Sequence, residues 1–532
     1  MSSLSLHRPI TFARKGMVVA PHYLAAEAGL ELLKGGGNAV DAAVAASAVL
    51  QVVYPFVCGL GGDVFMLIYD AASGKLSGLN GSGRSARAAT IERYRALGYT
   101  SMPVLGIHTV TVPGCAAGWD EAEQHFGRLG LAQALAPAIS YAEEGVAVGP
   151  DLHDALTRMS RREGIHRSWH AHFLPGGSVP AAGTIIRFPT LAQTLRTIAR
   201  EGSSAFYRGE IAEQVAAFFA REGGLITRED LAAHQSEWVT PLSVPFADLS
   251  IYELPPNTQG VTALQMLGIL DRLSLGDGPL SPDTIHMAVE AKKLAFADRD
   301  AYLTDPAYMR FNPAALIEPD YLSQRAALID PVRAQPSVAP GSFGGDTIYL
   351  CAADREGNVV SLIQSNYMGF GSGVVVDDTG IVLQNRGAYF SLDPAAANAL
   401  APGKRTLHTL IPSMALRDGR PAMVFGTMGG DGQPQIHLQV YTAIARFGLN
   451  IQEAIEMPRW IHGAANGIEL LRVEDRFPPA TLAVLRQRGH QVEELGAWET
   501  GMGYAQGITF DAQTGMMQGG ADPRAESLAA AW

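Results

Sequence analysis

Residues 346–365 read DTIYLCAADREGNVVSLIQS, two short apolar segments on either side of a polar turn. The turn between Asp354 and Asn358 contains a glycine where a three-residue hairpin loop needs a left-handed residue, so the stretch predicts a β-hairpin. If Asp354 pairs with Asn358, Thr347 at the start of the first strand lies opposite Ser365. This register matters because a slip of one residue would separate the two hydroxyl groups.

A change in composition precedes the hairpin. Ala334–Gly345 contains two prolines and three glycines and shows little periodicity, which predicts a flexible linker. The pattern is mainly helical before this linker and strand-like after it. This order predicts an α+β chain, with either two domains or one layered αββα core assembled from both halves.

Apolar periodicity locates the individual elements. Helical spacing predicts helices at Leu24–Leu33, Ala39–Leu50, Leu131–Glu144, Leu191–Arg200 and Thr284–Tyr302. Asn38 is placed to cap the second of these helices. Outside the hairpin, strands are predicted at Val64–Tyr69, Gly380–Leu383 and Pro421–Phe425. The first of these runs is apolar throughout, which is typical of a strand buried on both faces.

The composition excludes several classes of protein. The chain has 532 residues, of which 47% are hydrophobic and 17% charged, so it can bury a large core and is too apolar for disorder. The formal net charge of −12, without a long basic run, argues against binding nucleic acid or anionic membranes. The N-terminal segment lacks the apolar core of a secretory signal, and we expect a cytoplasmic protein.

The sequence predicts neither a metal site nor a cofactor. Its three cysteines are far apart, which leaves no disulfide framework and no CxxC metal site. His166, His170 and His172 lie in a polar stretch without a carboxylate at suitable spacing beyond Glu163, and we interpret them as a solvated loop. The glycine-rich segments lack the GxGxxG and GxxxxGK[ST] patterns of nucleotide-binding loops. No apolar run reaches the roughly 20 residues that span a bilayer.

Short motifs are distributed along almost the whole chain. They are GGNAVDAA at 36–43, GLGGDVF at 59–65, TVPG at 111–114, PP at 255–256, EAK at 290–292, AFADR at 295–299, YL at 302–303, DP at 305–306, GG at 429–430, MPR at 457–459 and DPR at 522–524. No single motif is decisive. Taken together and in this order, they resemble the gamma-glutamyltransferase family of N-terminal nucleophile hydrolases.

The resemblance implies a precursor that cuts its own chain between Asp346 and Thr347. A large chain, 1–346, and a small chain, 347–532, would then form one catalytic unit. The implied fold is a four-layer αββα sandwich of the N-terminal nucleophile hydrolase type. Two processed units are expected to pair as a dimer, again from the resemblance.

The resemblance also assigns roles to individual residues. Thr347 matches the nucleophile, and its freed α-amine, which titrates near 8, would serve as the base that a weakly nucleophilic hydroxyl needs. Ser365 matches a hydroxyl that holds the nucleophile. Gly429 and Gly430 match the oxyanion hole, where backbone N–H groups approach the developing charge. Arg84 matches the arginine that binds the substrate carboxylate, and the nearby Arg87 is the alternative.

Several positions depart from the transpeptidases of this family. The asparagine two places after the supporting hydroxyl is replaced by Tyr367, an acidic or amide residue by Arg386, and an aspartate by Tyr389. The serine pair that binds the donor carboxylate is replaced by His408 and Thr409. An α-ammonium group would meet a cation and two phenols here, so we infer that the substrate lacks an amine.

Three hypotheses follow. The first is hydrolysis of a small amide that carries a carboxylate, for which oxamate is the best candidate because one branch of the family is an oxamate amidohydrolase. Arg84, Arg386 and His408 would attract its carboxylate; glutaryl amides, as used by cephalosporin acylases, come next. The second hypothesis is a γ-glutamyl hydrolase or transpeptidase acting on glutathione-type donors. The third is an uncleaved relative that binds without catalysis.

Overall fold

The computed structural model describes residues 7–336, 346–465 and 468–532. Most of the predicted linker, residues 337–345, lies outside these ranges, as does the residue pair 466–467. Two seven-stranded antiparallel sheets form the centre of the protein.

The sheet that contains the hairpin is called the first sheet. In spatial order its strands are Leu528–Ala531, Gly16–Ala20, Asp346–Asp354, Val359–Tyr367, Asp63–Asp70, Lys75–Gly81 and Glu237–Val239. The strands of the second sheet are Thr11–Ala13, Met517–Ala521, Ala505–Phe510, Arg420–Thr427, Ser413–Arg417, Leu249–Glu253 and Leu242–Phe246. Smaller sheets pair Val374–Val376 with Ile381–Leu383, Val146–Ala147 with Ile185–Ile186, and Trp460–Ala465 with Ile468–Glu474 and Val492–Leu495.

Apolar side chains from the facing sides of the two sheets form a continuous layer. Val19, Phe65 and Tyr349 of the first sheet pack in one cluster with Met414 and Val424 of the second. Both sheets contain strands from before residue 337 and from after residue 345. The α+β prediction is therefore confirmed in its layered form, as one αββα core built from both halves of the sequence.

Helices cover the outer face of each sheet. In chain order, the helices before the strand Glu237–Val239 are Tyr23–Lys34, Ala39–Val53, Ile91–Ala96, Cys115–Phe126, Leu131–Glu144, Pro150–Ser160, Arg167–Phe173, Pro189–Glu201, Ser204–Tyr207, Glu210–Arg221 and Arg228–Ala232. The remaining helices are Gly260–Leu270, Pro282–Tyr302, Pro319–Ala326, Gln433–Ala445, Ile451–Glu456 and Pro479–Gln487. Two separate apolar clusters pack these layers onto the first and second sheets. Within the described ranges, no helix is both long and apolar enough to cross a membrane.

The helix Ala39–Val53 shows how local sequence builds the layer behind the hairpin. Asn38 accepts hydrogen bonds from the N–H groups of Val40 and Asp41, and the Asp41 carboxylate accepts from the N–H of Asn38. Every residue of the helix is buried. Its alanines keep the side chains small, so the helix can lie directly against both hairpin strands.

A buried network of four charged side chains lies at the end of the strand Met517–Ala521 of the second sheet. Arg459 and Arg524 both pair with Asp522, and Arg524 also donates to Glu474 at 2.8 and 2.7 Å. All four side chains are almost fully buried. Burial alone would raise the pKa of Asp522, but the two guanidinium groups hold it below its usual value.

We predict that Asp522→Asn lowers the free energy of unfolding by about 3–5 kcal/mol, because the buried Arg459 guanidinium loses its carboxylate partner, while Arg524 keeps only Glu474. Asp248→Asn is the matched control, since the Asp248 side chain is 62% exposed and pairs with Arg417 at the surface. Its loss should cost no more than about 1 kcal/mol. Denaturant unfolding of both variants measures the difference, and equal shifts would contradict the prediction.

Candidate active site

The hairpin brings the two predicted hydroxyl groups together. Residues 348–353 pair with 359–364 in the expected register, and the pairing shifts by one residue between Asp346 and Ile348. Thr347 Oγ1 donates to Ser365 Oγ at 3.2 Å, and both residues are fully buried. The predicted contact is confirmed, and it places a hydroxyl with a polar partner at the first residue after the proposed cut.

Tyr367 supports this pair from the end of the second hairpin strand. Its backbone has a φ of 80°, in the left-handed region that is uncommon for residues other than glycine. In this conformation its N–H donates to Ser365 Oγ at 2.7 Å. The Ser365 oxygen is therefore held by the backbone while it accepts from Thr347, and strained backbone of this kind is often found at active sites.

Gly429 and Gly430 form the turn that opens the helix Gln433–Ala445. Their φ values are 137° and 53°, which a residue with a side chain would rarely adopt. The carbonyl of Gly430 accepts from Gln259 Nε2 at 3.0 Å, and the same amide group donates to the Thr409 carbonyl at 2.9 Å. In the described part of the chain, neither glycine N–H donates a hydrogen bond, so both remain available to an oxyanion.

Arg386 lies in a short 3₁₀ helix, Arg386–Tyr389, and is 1% exposed. Its guanidinium stacks on the ring of Tyr367 at 4.1 Å, and Nη1 donates to Thr409 Oγ1 at 3.2 Å. Nε and Nη2 are buried and have no hydrogen-bond partner among the described residues. Burial lowers the pKa of Arg386, although the nearby Tyr367 and Asp63 oppose the shift. A buried guanidinium with two unused donors is suited to a carboxylate.

His408 is paired with Asp63, a residue that the sequence analysis did not single out. Asp63 lies opposite Ser365 on the neighbouring strand, and its Oδ2 is 3.1 Å from His408 Nε2. The other ring nitrogen, Nδ1, accepts from the N–H of Leu410 at 3.3 Å. Both nitrogens are therefore occupied, so the predicted binding of substrate by His408 would require one contact to break.

Burial raises the pKa of Asp63 to about 6, although Arg386 and the N–H groups of Gly83 and Gly114 lower it. Burial also lowers the pKa of His408 well below its usual value, and Arg386 adds to this effect. The pair is thus a neutral imidazole that donates to a carboxylate whose charge changes between pH 5 and 7.

A second group of residues missed by the sequence analysis surrounds the glycine turn. Asp431 Oδ1 accepts from Tyr389 Oη at 2.6 Å and from Arg299 Nη1 at 2.7 Å. Arg299 Nη1 also donates to Gln259 Oε1 at 2.9 Å. The Tyr389 ring in turn packs on Tyr367 with 5.6 Å between centroids. This network connects the glycine turn to the hydroxyl pair, and Asp63, Arg299 and Asp431 each lie in or directly after a motif noted above.

Arg84 occupies a more open position than Arg386. Its side chain is 40% exposed and forms ion pairs with Asp305 at 3.0 Å and Glu237 at 3.2 Å. Among the described residues, its hydrogen bonds go to Asp305, Gly403 and Glu237 and do not reach the Thr347 hydroxyl pair, the glycine turn or Arg386. Arg87 is held elsewhere, with its N–H on Asp230. Carboxylate binding by Arg84 remains a prediction, and its two acidic partners already offset its charge.

Two groups of histidines decide whether the described residues offer a metal site. His166 caps the helix Arg167–Phe173 and contacts Glu222 at 3.2 Å, which gives it a structural role. His286, Glu290 and His490 lie close enough together to hold an ion. Glu290 is however paired with Lys293 at 2.7 Å, and the two imidazoles bind each other at 2.8 Å. A divalent cation here would bring uncompensated buried charge, which disfavours a metal site.

Comparison with known proteins places these features in a family. Residues 25–532 match the family model described as gamma-glutamyltranspeptidase. The chain is 42% identical to the glutathione hydrolase-like YwrD proenzyme of Bacillus subtilis, covering 97% of this chain and 98% of that protein. It is also 42% identical to the oxamate amidohydrolase proenzyme of Klebsiella pneumoniae, with the same coverage. The crystal structure of cephalosporin acylase from Bacillus halodurans superposes with a TM-score of 0.93 at 42% identity, covering 100% of this chain and 98% of that one.

We predict that Thr347→Ala leaves a single chain on a denaturing gel, whereas the wild-type protein gives two fragments. Ser365→Ala should slow both fragment formation and amide hydrolysis by about 10- to 100-fold, because the Thr347 hydroxyl loses its acceptor. Ser361→Ala is the control, since Ser361 is a buried hydroxyl on the same strand that contacts Tyr349 Oη. A single band for the wild-type protein in an active preparation would exclude self-cleavage.

We further predict that small carboxylates bind more tightly as the pH falls from 7 to 5. Protonation of Asp63, whose pKa is about 6, removes a negative charge near Arg386. The gain should be on the order of 1 kcal/mol, or roughly fivefold. Competitive inhibition by oxalate measures it, and Asp63→Asn should abolish the pH dependence. An inhibition constant that is equally pH-dependent in the variant would assign the effect to another group.

Proposed function

This chain belongs to the gamma-glutamyltranspeptidase family, and on that premise we propose that it is an autoprocessed amidohydrolase that converts oxamate to oxalate and ammonia. The coarser assignment rests on the whole chain: it is an enzyme of the N-terminal nucleophile type that acts on amides. The choice of oxamate rests on the site.

The observation that carries the proposal is the buried Arg386. Two of its nitrogens have no partner in the described part of the chain, while its guanidinium stacks on Tyr367, whose N–H holds Ser365. An unpaired buried donor is costly, and a charged one more so, unless a ligand completes it. A carboxylate that accepts from Nε and Nη2 would form the bidentate pair that arginine geometry favours. The carboxylate would then lie next to Tyr367, whose N–H holds the Ser365 hydroxyl that contacts Thr347.

The surroundings disfavour the α-ammonium group of a γ-glutamyl donor. Arg386 is a cation, and Tyr367 and Tyr389 present phenols. Asp63 is hydrogen-bonded to His408, and Arg299 offsets the charge of Asp431 at Oδ1, although Oδ2 has no partner among the described residues. A small amidic acid satisfies Arg386 without placing a second positive charge next to it. The 42% identity to an oxamate amidohydrolase proenzyme supports this choice.

The proposed reaction uses Thr347 twice. In the precursor its Oγ1 attacks the Asp346 carbonyl, the Asp346–Thr347 amide bond breaks as the hydroxyl proton passes to the Thr347 nitrogen, and an ester forms. Water then hydrolyses this ester, which frees residues 1–346 from residues 347–532. In the processed enzyme the new α-amine accepts the Thr347 hydroxyl proton as Oγ1 bonds to the amide carbon, and the N–H groups of Gly429 and Gly430 hold the oxyanion. The carbon–nitrogen bond then breaks, the amine returns the proton to the leaving nitrogen, and ammonia departs. Water attacks the remaining ester to release oxalate and the free hydroxyl.

Two relatives define the second candidate. The superposed structure is that of a cephalosporin acylase, and a further acylase proenzyme from Pseudomonas is 35% identical over 90% of this chain. A glutaryl amide also carries a carboxylate without an amine, so it satisfies Arg386 in the same way. We favour oxamate because side chains as large as Tyr367, Arg386 and Tyr389 should shrink the space for a longer acyl chain. The predicted dimer of processed units and the cytoplasmic location remain proposals from the sequence.

We predict that the wild-type enzyme hydrolyses oxamate with a higher kcat/KM than L-γ-glutamyl-p-nitroanilide. Arg386→Lys should raise the KM for oxamate by about 10- to 100-fold, because a point charge replaces a bidentate fork. Arg84→Lys is the control and should change KM by less than about threefold. Ammonia release and nitroaniline absorbance give the two rates. Faster turnover of the anilide would refute the choice of substrate, and a larger effect at Arg84 would move the carboxylate site there.

A further inference from the structure

Asp431 has two carboxylate oxygens in very different surroundings. Oδ1 accepts from Tyr389 Oη at 2.6 Å and from Arg299 Nη1 at 2.7 Å. Oδ2 is buried and has no hydrogen-bond partner among the described residues. The residue is 5% exposed. Oδ1 is therefore fixed in place by two donors, whereas Oδ2 is an acceptor without a donor among the described residues.

The position of Asp431 ties this free oxygen to the proposed oxyanion hole. Asp431 directly follows Gly430 in the 3₁₀ turn Gly430–Gly432. Arg299 holds both the Asp431 carboxylate and the Gln259 amide that binds the Gly430 carbonyl. The same arginine thus holds the Asp431 carboxylate and, through Gln259, the glycine turn, and Asp431 is the next residue in the chain after the proposed oxyanion hole.

Arg386 and Asp431 present opposite unused groups around the same pair of rings. Arg386 stacks on Tyr367, which packs on Tyr389, whose hydroxyl donates to Asp431. Arg386 offers two N–H donors without an acceptor, and Asp431 offers an acceptor without a donor. A buried carboxylate oxygen without a partner is costly, so we expect the ligand to supply the missing N–H.

We propose that Asp431 Oδ2 accepts a hydrogen bond from the leaving nitrogen of the substrate, so that the enzyme selects amides that retain an N–H. This inference rests on the proposed function, since it takes Arg386 as the carboxylate anchor. An amidic acid then spans the site with its carboxylate on Arg386 and its amide nitrogen at Asp431. Primary amides satisfy both ends, and N,N-dialkyl amides leave Oδ2 unpaired.

The test compares oxamate, N-methyloxamate and N,N-dimethyloxamate on the wild-type enzyme and on Asp431→Asn. The variant keeps the shape of the side chain and one oxygen for Tyr389 and Arg299, but replaces the free acceptor by a donor. We expect the wild-type enzyme to prefer oxamate over the dimethyl amide by at least about 100-fold in kcat/KM. In Asp431→Asn this ratio should fall at least about tenfold, mainly through slower turnover of oxamate.

Tyr389→Phe is the matched control. It removes a donor to Oδ1 and leaves Oδ2 unchanged, so it should lower activity on all three amides and keep their ratio within about threefold. A denaturing gel establishes that each variant is processed into two chains. If Asp431→Asn lowers the rates for all three amides by one common factor, Asp431 has only a structural role and the inference is wrong.

A second pair of substrates separates this inference from the proposed function. If the wild-type enzyme hydrolyses none of the oxamates but cleaves glutaryl-p-nitroanilide, the choice of oxamate fails, and the same ratio is measured against the N-methyl anilide. A fall of that ratio in Asp431→Asn would still support the role of Asp431. If the variant instead changes only the preference between γ-glutamyl- and glutaryl-p-nitroanilide, Oδ2 binds an ammonium group and the inference is overturned.

Discussion

The antiparallel pairing of residues 346–354 with 359–367 is the constraint on which the rest of the molecule depends. It sets Thr347 against Ser365, and through the neighbouring strand it sets Asp63 opposite Ser365 as well. Because side chains alternate along a strand, a shift by one residue would turn all of these groups to the other face. The helix Ala39–Val53 and the second sheet pack against the two faces of this hairpin, so the register is also fixed from outside.

The site combines satisfied and unsatisfied polar groups in a definite arrangement. The side chains of His408, Gln259 and Arg299 are hydrogen-bonded to Asp63, the Gly430 carbonyl and Asp431, respectively. Arg386 and Asp431 keep unused donors and an unused acceptor in buried positions. A folded protein tolerates such groups where a ligand completes them, since their burial otherwise opposes folding. In the proposed binding mode, the positive charge of Arg386 binds the carboxylate end of the substrate and Asp431 binds its N–H end.

The relatives show that one fold supports several chemistries in this family. Proteins named for glutathione hydrolysis, oxamate hydrolysis and cephalosporin acylation match this chain over nearly its whole length. In the proposed mechanism the hydroxyl pair and the glycine turn provide amide cleavage, whereas the choice of amide depends on a few side chains around them. In this chain those side chains are Tyr367, Arg386, Tyr389 and Asp431, which is why we base the substrate on them rather than on overall similarity.

The sequence by itself determined the hairpin, several of the helices and strands, and the position of the hydroxyl pair, although the stretch interpreted as a loop around His166–His172 contains the helix Arg167–Phe173. Helix spacing, apolar strands and the turn chemistry at Asp354–Asn358 are local properties, and the motif order identified Thr347, Ser365, Gly429 and Gly430. Only the tertiary structure decided which polar groups meet. His408 and Asp63 are 345 residues apart in the chain, and Arg299 and Asp431 are 132 apart, so no spacing pattern connects them. The structure also separated the half-exposed, paired Arg84 from the buried Arg386 with its free donors, because burial and pairing arise only when distant segments pack together.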